Sequence, residues 1–154
     1  MIFLYDIADF IILDSVVFTE ITMCDFNNPG STLWADPVYV GGGDSLTYAG
    51  SLAILISESS TSSSEFHTMA WRLAPEAMLF GHTTSRADGN IVRIVLPGCI
   101  HTIFSGVGIY NPDRSETQRV GIIPDVEVLP TQAGRDEVLE AALEWLNSPG
   151  EETL

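Results

Sequence analysis

Two apolar runs separated by a serine-rich segment, within residues 51–81, restrict the fold of this chain more than any other feature. The run SLAILIS (51–57) is continuously apolar between two serines, which is typical of a strand buried on both faces. Apolar residues then recur at helical spacing as far as Pro75, and EAMLFG (76–81) predicts a second buried strand. A crossover helix makes its two flanking strands parallel. The predicted fold class is therefore α/β, with a helix at 62–74 packed on a mostly parallel sheet.

The segments around this unit are predicted in less detail. The first 22 or so residues suit either a helix or a pair of strands, and periodicity leaves both open. The turn-rich stretch 27–43 ends in a glycine triplet, which predicts a flexible connection because no GK[ST] motif of a phosphate loop follows. Downstream, we expect a turn at 86–90, a strand from 91 that continues towards 99–110, two short β segments within 118–130 and a helix within 134–147.

The charge of the chain excludes several classes of partner. It carries 21 acidic residues against six arginines and no lysine, for a net charge of −15. A field of this sign repels nucleic acid and anionic membranes, so neither is expected as a partner. A reaction that needs a lysine base cannot be completed by this chain alone. Nothing in the sequence indicates a cofactor, and Cys24 and Cys99 have no metal-ligand spacing, which predicts two separate buried thiols.

The serine-rich segment begins the predicted helix in a way that suits two roles. Ser62 stands three residues before Glu65, the spacing of a capping box, in which each side chain accepts the other residue's backbone N–H. The same position puts the Ser62 hydroxyl beside free backbone N–H groups at the positive end of the helix dipole. Such groups also stabilise an oxyanion in acyl transfer. The residues alone therefore leave a helix cap and a nucleophile as alternatives for Ser62.

Five motifs follow one another along the chain. A Ser-x-x-Glu sequence at 62–65 opens the predicted helix, Gly81 ends the second strand, and TTSRADG, GIIPD and GRDEVLEAAL come next. With this order over roughly residues 45–147, the chain resembles the catalytic core of the tail-specific, or C-terminal-processing, serine peptidase family. The resemblance implies a crotonase/ClpP-like core of ββα units. It also implies that residues 1–154 form a single domain, the C-terminal half of a peptidase catalytic core that lacks an upstream domain.

The resemblance also implies roles for particular residues. Ser62 matches the nucleophile, and the backbone N–H of Ser63 matches one donor of the oxyanion hole. The lysine that activates the serine in one branch of the family is matched by Ala87, and its supporting glutamine by Ile91. A Ser–Lys dyad is therefore ruled out within this chain. The ADGN turn is closer to a tricorn-like branch that uses histidine and a carboxylate, although Gln118 stands at the position of that branch's acidic residue.

Three histidines are available as the base that a serine nucleophile needs near neutral pH. His82 directly follows the second predicted strand, so we expect it at the same carboxyl-end edge of the sheet as Ser62. It is the predicted base, with a residue outside this chain as the alternative. His67, five residues after Ser62 on the helix, is predicted to point away from the hydroxyl, and His101 lies in a predicted strand.

The sequence thus predicts a serine endopeptidase domain, or part of one, that acts on peptide or protein substrates. The alternative is a non-catalytic relative that uses the same fold for peptide binding or assembly. An exposed sheet edge predicts a homo-oligomer. The resemblance implies that relatives are commonly exported, but the apolar N-terminus lacks the positive region of a signal peptide, which leaves the compartment open.

Overall fold

The computed structural model describes residues 2–43, 47–129, 131 and 134–148. Within these residues the chain forms three helices and nine strands, which are, in chain order, α1 (Ile2–Ile11), β1 (Val16–Cys24), β2 (Thr32–Trp34), β3 (Val38–Val40), β4 (Leu52–Ile56), α2 (Ser63–Trp71), β5 (Ala77–Gly81), β6 (Ile91–Leu96), β7 (Ile100–Ser105), β8 (Val107–Tyr110), β9 (Val126–Glu127) and α3 (Glu137–Asn147). The predicted α/β fold class is confirmed. None of the helices in this described part of the chain is long and apolar enough to cross a membrane.

The predicted strand–helix–strand unit forms a parallel sheet. β4 pairs in parallel with β5, from Leu52 opposite Ala77 to Ile56 opposite Gly81, and β9 pairs with the other edge of β5. α2 is the crossover between β4 and β5. It begins one residue later than predicted, because the backbone of Ser62 is not helical. The order of the sheet is β4-β5-β9.

Gly81 ends β5 for a steric reason. Its φ is 125°, and a Cβ added at this position would stand 1.9 Å from the carbonyl oxygen of Ile56 on the paired strand. That oxygen accepts a hydrogen bond from the backbone N–H of His82 at 3.2 Å, so the backbones of β4 and β5 stay in close contact where β5 ends. The glycine of this motif is therefore required by close backbone packing.

Helices cover both faces of the parallel sheet. Side chains on one face, among them Ile54 and Leu79, are buried in the main core with Met69 of α2 and apolar residues of α1. On the opposite face Phe80 contacts Trp145 of α3, with ring centroids 5.5 Å apart. Strands covered on both faces need apolar residues at consecutive positions, which is why β4 and β5 are continuous apolar runs in the sequence.

A second sheet, which is antiparallel and was not expected from the sequence, joins the N-terminal segment to the middle of the chain. β1 is its central strand and pairs with β2, β3 and β8. The N-terminal segment thus contains both a helix and a strand. The 27–43 stretch holds two short strands as well as turns, because pairing with β1 imposes an extended backbone. Phe18 of β1 packs edge-on against Phe66 of α2, with ring centroids 4.9 Å apart.

The segments after residue 90 match the predictions in part. β6 and β7 pair as an antiparallel hairpin, and β8 joins the sheet of β1. Two short β segments are predicted within 118–130, but the described residues 118–129 form one strand, β9, because the N–H groups of Val120 and Gly121 both donate to the carbonyl oxygen of Thr117 in a turn. The predicted C-terminal helix is confirmed as α3.

The prediction of two buried thiols is wrong. Both are exposed, Cys24 at the end of β1 and Cys99 in the turn between β6 and β7, because both positions lie beyond the main core. Within the ranges that the structure describes, no group of three or more His, Cys, Asp and Glu side chains is arranged to hold a metal ion.

Candidate active site

Ser62 lies between β4 and α2, at the N-cap of the helix. Its backbone has φ 52° and ψ −118°, a conformation that residues other than glycine avoid. Its N–H donates to the carbonyl oxygen of Ala87 at 2.9 Å, which ties this junction to the turn after β5. A strained residue of this kind costs about 1–3 kcal/mol, and such residues cluster at functional sites. The structure therefore adds backbone strain to the helix start that the sequence predicts.

The buried carboxylate of Glu65 fixes the turn after β5 against the start of α2. Glu65 is 3% exposed. Its two oxygens accept hydrogen bonds from the N–H groups of Ser62 (3.3 Å), Arg86 (3.0 Å) and Ala87 (3.0 Å) and from the hydroxyls of Thr84 (2.5 Å) and Ser85 (3.4 Å). The bond from Ser62 is the Glu65 half of the predicted capping box. The hydrogen bonds from residues 84–87 to Glu65 were not predicted from the sequence. The polar stretch TTSRA could have indicated them, because its hydroxyl and backbone N–H donors need an acceptor when they are buried.

A cavity of about 270 Å³ opens beside Ser62. Ser62, Ser63, His67 and Asp88 contribute to its polar lining, and apolar residues of α1, α2, β1, β3 and β8 complete it. Ser63 is the first residue of α2, so its backbone N–H has no acceptor within the helix. Asp88 also lines a second, wider groove of about 540 Å³. A mostly apolar cavity with a few polar groups on its wall is the usual form of a binding site.

Asp88 is the residue of this cavity that sequence reasoning missed. The residue is only 7% exposed, and its Oδ1 accepts the N–H of Gly89 at 2.7 Å. Its Oδ2 is buried and has no hydrogen-bond partner among the described residues. Burial, with a smaller contribution from the charge of Glu65, raises the pKa of the Asp88 carboxyl to about 6. Its sequence signal is its place directly after Ala87, the position that the resemblance predicts to match a lysine.

His67 lines the same cavity as Ser62, and that it points away from the Ser62 hydroxyl stays a prediction. The helical angle used for that prediction does not apply, because Ser62 precedes the helix and has φ 52°. The ring stacks on Trp71, with centroids 5.2 Å apart, and its Nε2 is buried without a partner among the described residues. Burial, followed by the charge of the N-terminus, lowers the pKa of the His67 imidazole.

His82 lies where β5 ends, as its sequence position predicts. Its Nδ1 is 3.4 Å from the carbonyl oxygen of Thr83, and its Nε2 is 3.7 Å from a carboxylate oxygen of Glu127. The histidine that lines the cavity beside Ser62 is His67 rather than His82. A role for His82 as the base stays a prediction.

Ala87 and Gln118, which the resemblance predicts to stand at the positions of two further catalytic groups, both lie beside the Ser62–Asp88 region. The carbonyl oxygen of Ala87 accepts the Ser62 N–H, so the position of the matched lysine is directly beside the serine. Gln118 donates through Nε2 to the carbonyl oxygens of Asp88 at 2.6 Å and Val107 at 3.2 Å. The Gln118 amide thus holds the turn around Asp88 in place by donating hydrogen bonds. A carboxylate at position 118 could not donate these bonds, because an ionised carboxylate only accepts.

The match to a known family covers most of the chain. Residues 21–128 match the family model described as Peptidase family S41. A search of the curated proteins finds no match.

Solved structures share the fold. A putative peptidase from Parabacteroides merdae ATCC 43184 superposes with a TM-score of 0.87 at 22% identity, over 99% of this chain and 50% of that chain. Mature CPAF complexed with lactacystin gives a TM-score of 0.69 at 13% identity, over 94% and 39%. The photosystem II D1 C-terminal processing protease gives 0.59 at 19% identity, over 94% and 35%. The chain spans half or less of the length of these proteins, and at such identities the likeness concerns the fold alone.

Proposed function

The chain belongs to peptidase family S41, and from this premise we propose that it carries the nucleophile of a serine-type peptidase, Ser62, which attacks peptide bonds in peptides or proteins. The observation that carries the proposal is the strained backbone of Ser62 at the N-terminus of α2, beside a cavity. The chain covers half or less of the length of its structural relatives, so the peptidase activity that a whole enzyme would have is itself proposed here.

The proposed chemistry uses the start of α2. The Ser62 hydroxyl attacks the carbonyl carbon, and the negative charge that develops on the carbonyl oxygen is stabilised by the backbone N–H of Ser63 and the positive end of the helix dipole. The free state of that N–H at the first helical position supports this role. His82 is a candidate for the base on the strength of its position after β5. The ADGN turn and the absence of lysine support a tricorn-like branch of the family.

Labelling by a fluorophosphonate reagent tests the nucleophile. We expect the chain to form a covalent adduct that is lost in Ser62→Ala. The matched control is Ser59→Ala, because Ser59 is an exposed residue of the same loop and its labelling should equal that of the original chain. Labelling that survives in Ser62→Ala, or a folded chain that reacts at no pH, would contradict the proposal.

A non-catalytic relative is the second candidate. Two observations favour it: Ala87 offers no basic side chain at the lysine position, and the amide of Gln118 is engaged by backbone carbonyls. Such a protein would bind peptides without reacting with them. Binding of a labelled peptide library by a chain that the fluorophosphonate leaves unmodified would select this candidate.

A homo-oligomer is part of the proposal as well. The β6–β7 hairpin exposes apolar side chains on both strands, among them Ile91 (65%), Val95 (61%) and Ile103 (57%). Exposed apolar strands of this kind tend to be covered by another chain. Static light scattering is expected to give a multiple of the 16.7 kDa chain mass, and a clean monomer would count against it.

A further inference from the structure

We infer that Asp88 is the general base of this site and accepts the proton of the Ser62 hydroxyl, the role that the resemblance gives to a lysine in one branch of the family. The inference rests on the proposed function of Ser62. What carries it is a juxtaposition: Asp88 has a buried carboxyl oxygen without a hydrogen-bond partner among the described residues, and the residue lines the cavity that Ser62 also lines.

The backbone on both sides of Asp88 is fixed relative to Ser62. Ala87, the preceding residue, accepts the Ser62 N–H at 2.9 Å and donates its own N–H to Glu65 at 3.0 Å. The carbonyl oxygen of Asp88 itself accepts from Gln118 at 2.6 Å. A base must be held close to the proton it removes, and these bonds tie the backbone of the turn to Ser62 without any help from substrate.

The carboxyl group has one occupied and one free oxygen. Oδ1 accepts the Gly89 N–H at 2.7 Å, whereas Oδ2 is buried with no partner among the described residues. A buried carboxylate oxygen without a donor is costly, so such groups are rare in folded proteins and call for an explanation. Ser62 lines the same cavity, and in the inferred arrangement its hydroxyl turns towards Oδ2 and donates the hydrogen bond that this oxygen lacks.

The surroundings of Asp88 suit a base that works near neutral pH. Burial raises the pKa of the carboxyl to about 6, so that it is mostly ionised above this pH yet still binds a proton readily. The titratable and charged groups that face the cavity, the adjoining groove or the carboxyl itself are Tyr5 of α1, Cys24 of β1, Glu65 and His67 of α2, Arg86 of the same turn, Tyr110 of β8, and Glu116 and Arg119 after β8. Among these groups His67 is an alternative base, and His82 after β5 is the candidate named above; the test separates Asp88 from both histidines.

The proposed step balances as follows. The Ser62 oxygen forms a bond to the carbonyl carbon while its proton passes to Oδ2 of Asp88, and the carbonyl electron pair moves onto oxygen. When the tetrahedral intermediate collapses, the C–N bond breaks and the proton goes from Asp88 to the leaving amine. In the second half, Asp88 takes a proton from water as that water attacks the acyl group, and returns it to Ser62 when the ester bond breaks.

The rate of fluorophosphonate labelling as a function of pH tests the inference. For the original chain we expect the rate to rise with pH through about 6 and then level off, because the ionised carboxyl is the active form. Asp88→Asn should lower the rate at pH 7.5 by about 100- to 10,000-fold and abolish the rise. The matched control Asp36→Asn, at an exposed position, should keep both the rate and the profile.

The outcomes distinguish this inference from the proposed function. If Asp88→Asn reacts at the original rate with the same profile while Ser62→Ala is inert, the nucleophile stands and the base inference falls. The same holds if His67→Gln or His82→Gln removes the rise and Asp88→Asn does not. A folded chain that reacts at no pH overturns both proposals.

A titration followed by carbon-13 NMR does not depend on turnover. The Asp88 carboxyl carbon is expected to titrate with a midpoint near pH 6 in the original chain. The inferred rotation of the Ser62 hydroxyl towards Oδ2 predicts a higher midpoint in Ser62→Ala, where the ionised form of the carboxyl loses that hydrogen bond. An unchanged midpoint in Ser62→Ala would overturn the inference even if Asp88→Asn failed to fold.

Discussion

Burial, more than neighbouring charge, sets the behaviour of the Asp88 carboxyl. Its desolvation is the largest cause of the raised pKa, the hydrogen bond from Gly89 opposes it, and the charge of Glu65 adds to it. Keeping this group ionised at neutral pH therefore costs folding free energy. A residue that is unfavourable for stability yet positioned by several hydrogen bonds is the pattern expected of a functional group.

Replacement of Asp88 by asparagine is expected to stabilise the fold at neutral pH. In the original chain the native state favours the protonated carboxyl. Its contribution to the free energy of unfolding is therefore fully present below pH 3.8 and is lost as the pH rises to about 6. After allowance for solvent screening, Asp88→Asn should be more stable by about 1 kcal/mol at pH 7.5 and by almost nothing at pH 4. Urea unfolding at both values measures this difference. A larger gain at pH 4 than at pH 7.5 would contradict the assigned sign.

At the scale of the element, a turn that lacks regular structure is fixed by one helix residue. The four residues 84–87 all bond to Glu65, which is buried at the start of α2. The turn brings Asp88 to the cavity, so the geometry of the candidate site depends on a carboxylate that lies outside the proposed proton transfer. Glu65 is a positioning residue in this arrangement.

Loss of the Glu65 carboxylate is expected to loosen this turn. In Glu65→Gln one oxygen becomes an NH₂ group, so donors of the turn lose their acceptor and unfolding becomes easier by about 2 kcal/mol. Glu58→Gln, at an exposed position in the preceding loop, is the matched control and should change nothing measurable. Hydrogen exchange should accelerate at the amides of Arg86 and Ala87 in Glu65→Gln alone. Unchanged protection at these amides would show that other contacts hold the turn.

The end of β5 gives a second prediction for a single element. Gly81→Ala would place a Cβ 1.9 Å from the Ile56 carbonyl oxygen, so β4 and β5 would have to separate at the edge that carries the site. We expect a loss of at least about 3 kcal/mol. The control is Gly98→Ala, because Gly98 also has a positive φ, 85°, but open space around it, so only about 1 kcal/mol is lost. Equal stability of the two variants in urea would contradict the steric explanation.

At the scale of the whole molecule, the net charge of −15 opposes folding. The ion pairs among the described residues include Arg72–Asp125 at 3.9 Å and Arg114–Glu20 at 3.6 Å, which leave most acidic residues without a compensating cation. Repulsion between these carboxylates is long-ranged and is shared by the whole surface. A change in ionic strength should therefore alter the stability of the fold more than the replacement of any single acidic residue on the surface.

Salt is therefore expected to stabilise the protein. Raising NaCl from 20 mM to 500 mM shortens the Debye length from roughly 20 Å to roughly 4 Å, which screens the repulsion. The melting temperature should rise by about 2–4 °C for each kcal/mol gained. KCl should have the same effect as NaCl, because screening does not depend on the identity of the cation. A melting temperature that falls with salt would show that attractive ion pairs dominate.

The sequence by itself determined the parallel strand–helix–strand unit, the place of Ser62 at its turn and the glycine at its end. These features follow from local apolar periodicity, capping residues and the handedness of the crossover, all of which are visible within about 30 residues. The tertiary structure alone decided the antiparallel sheet around β1, the exposure of both cysteines and the hydrogen bonds from residues 84–87 to Glu65. It also decided that Asp88 and His67, and not His82, line the cavity beside Ser62. Those outcomes depend on which distant segments come together and on how deeply a polar group is buried, and neither is encoded in the local pattern of residues.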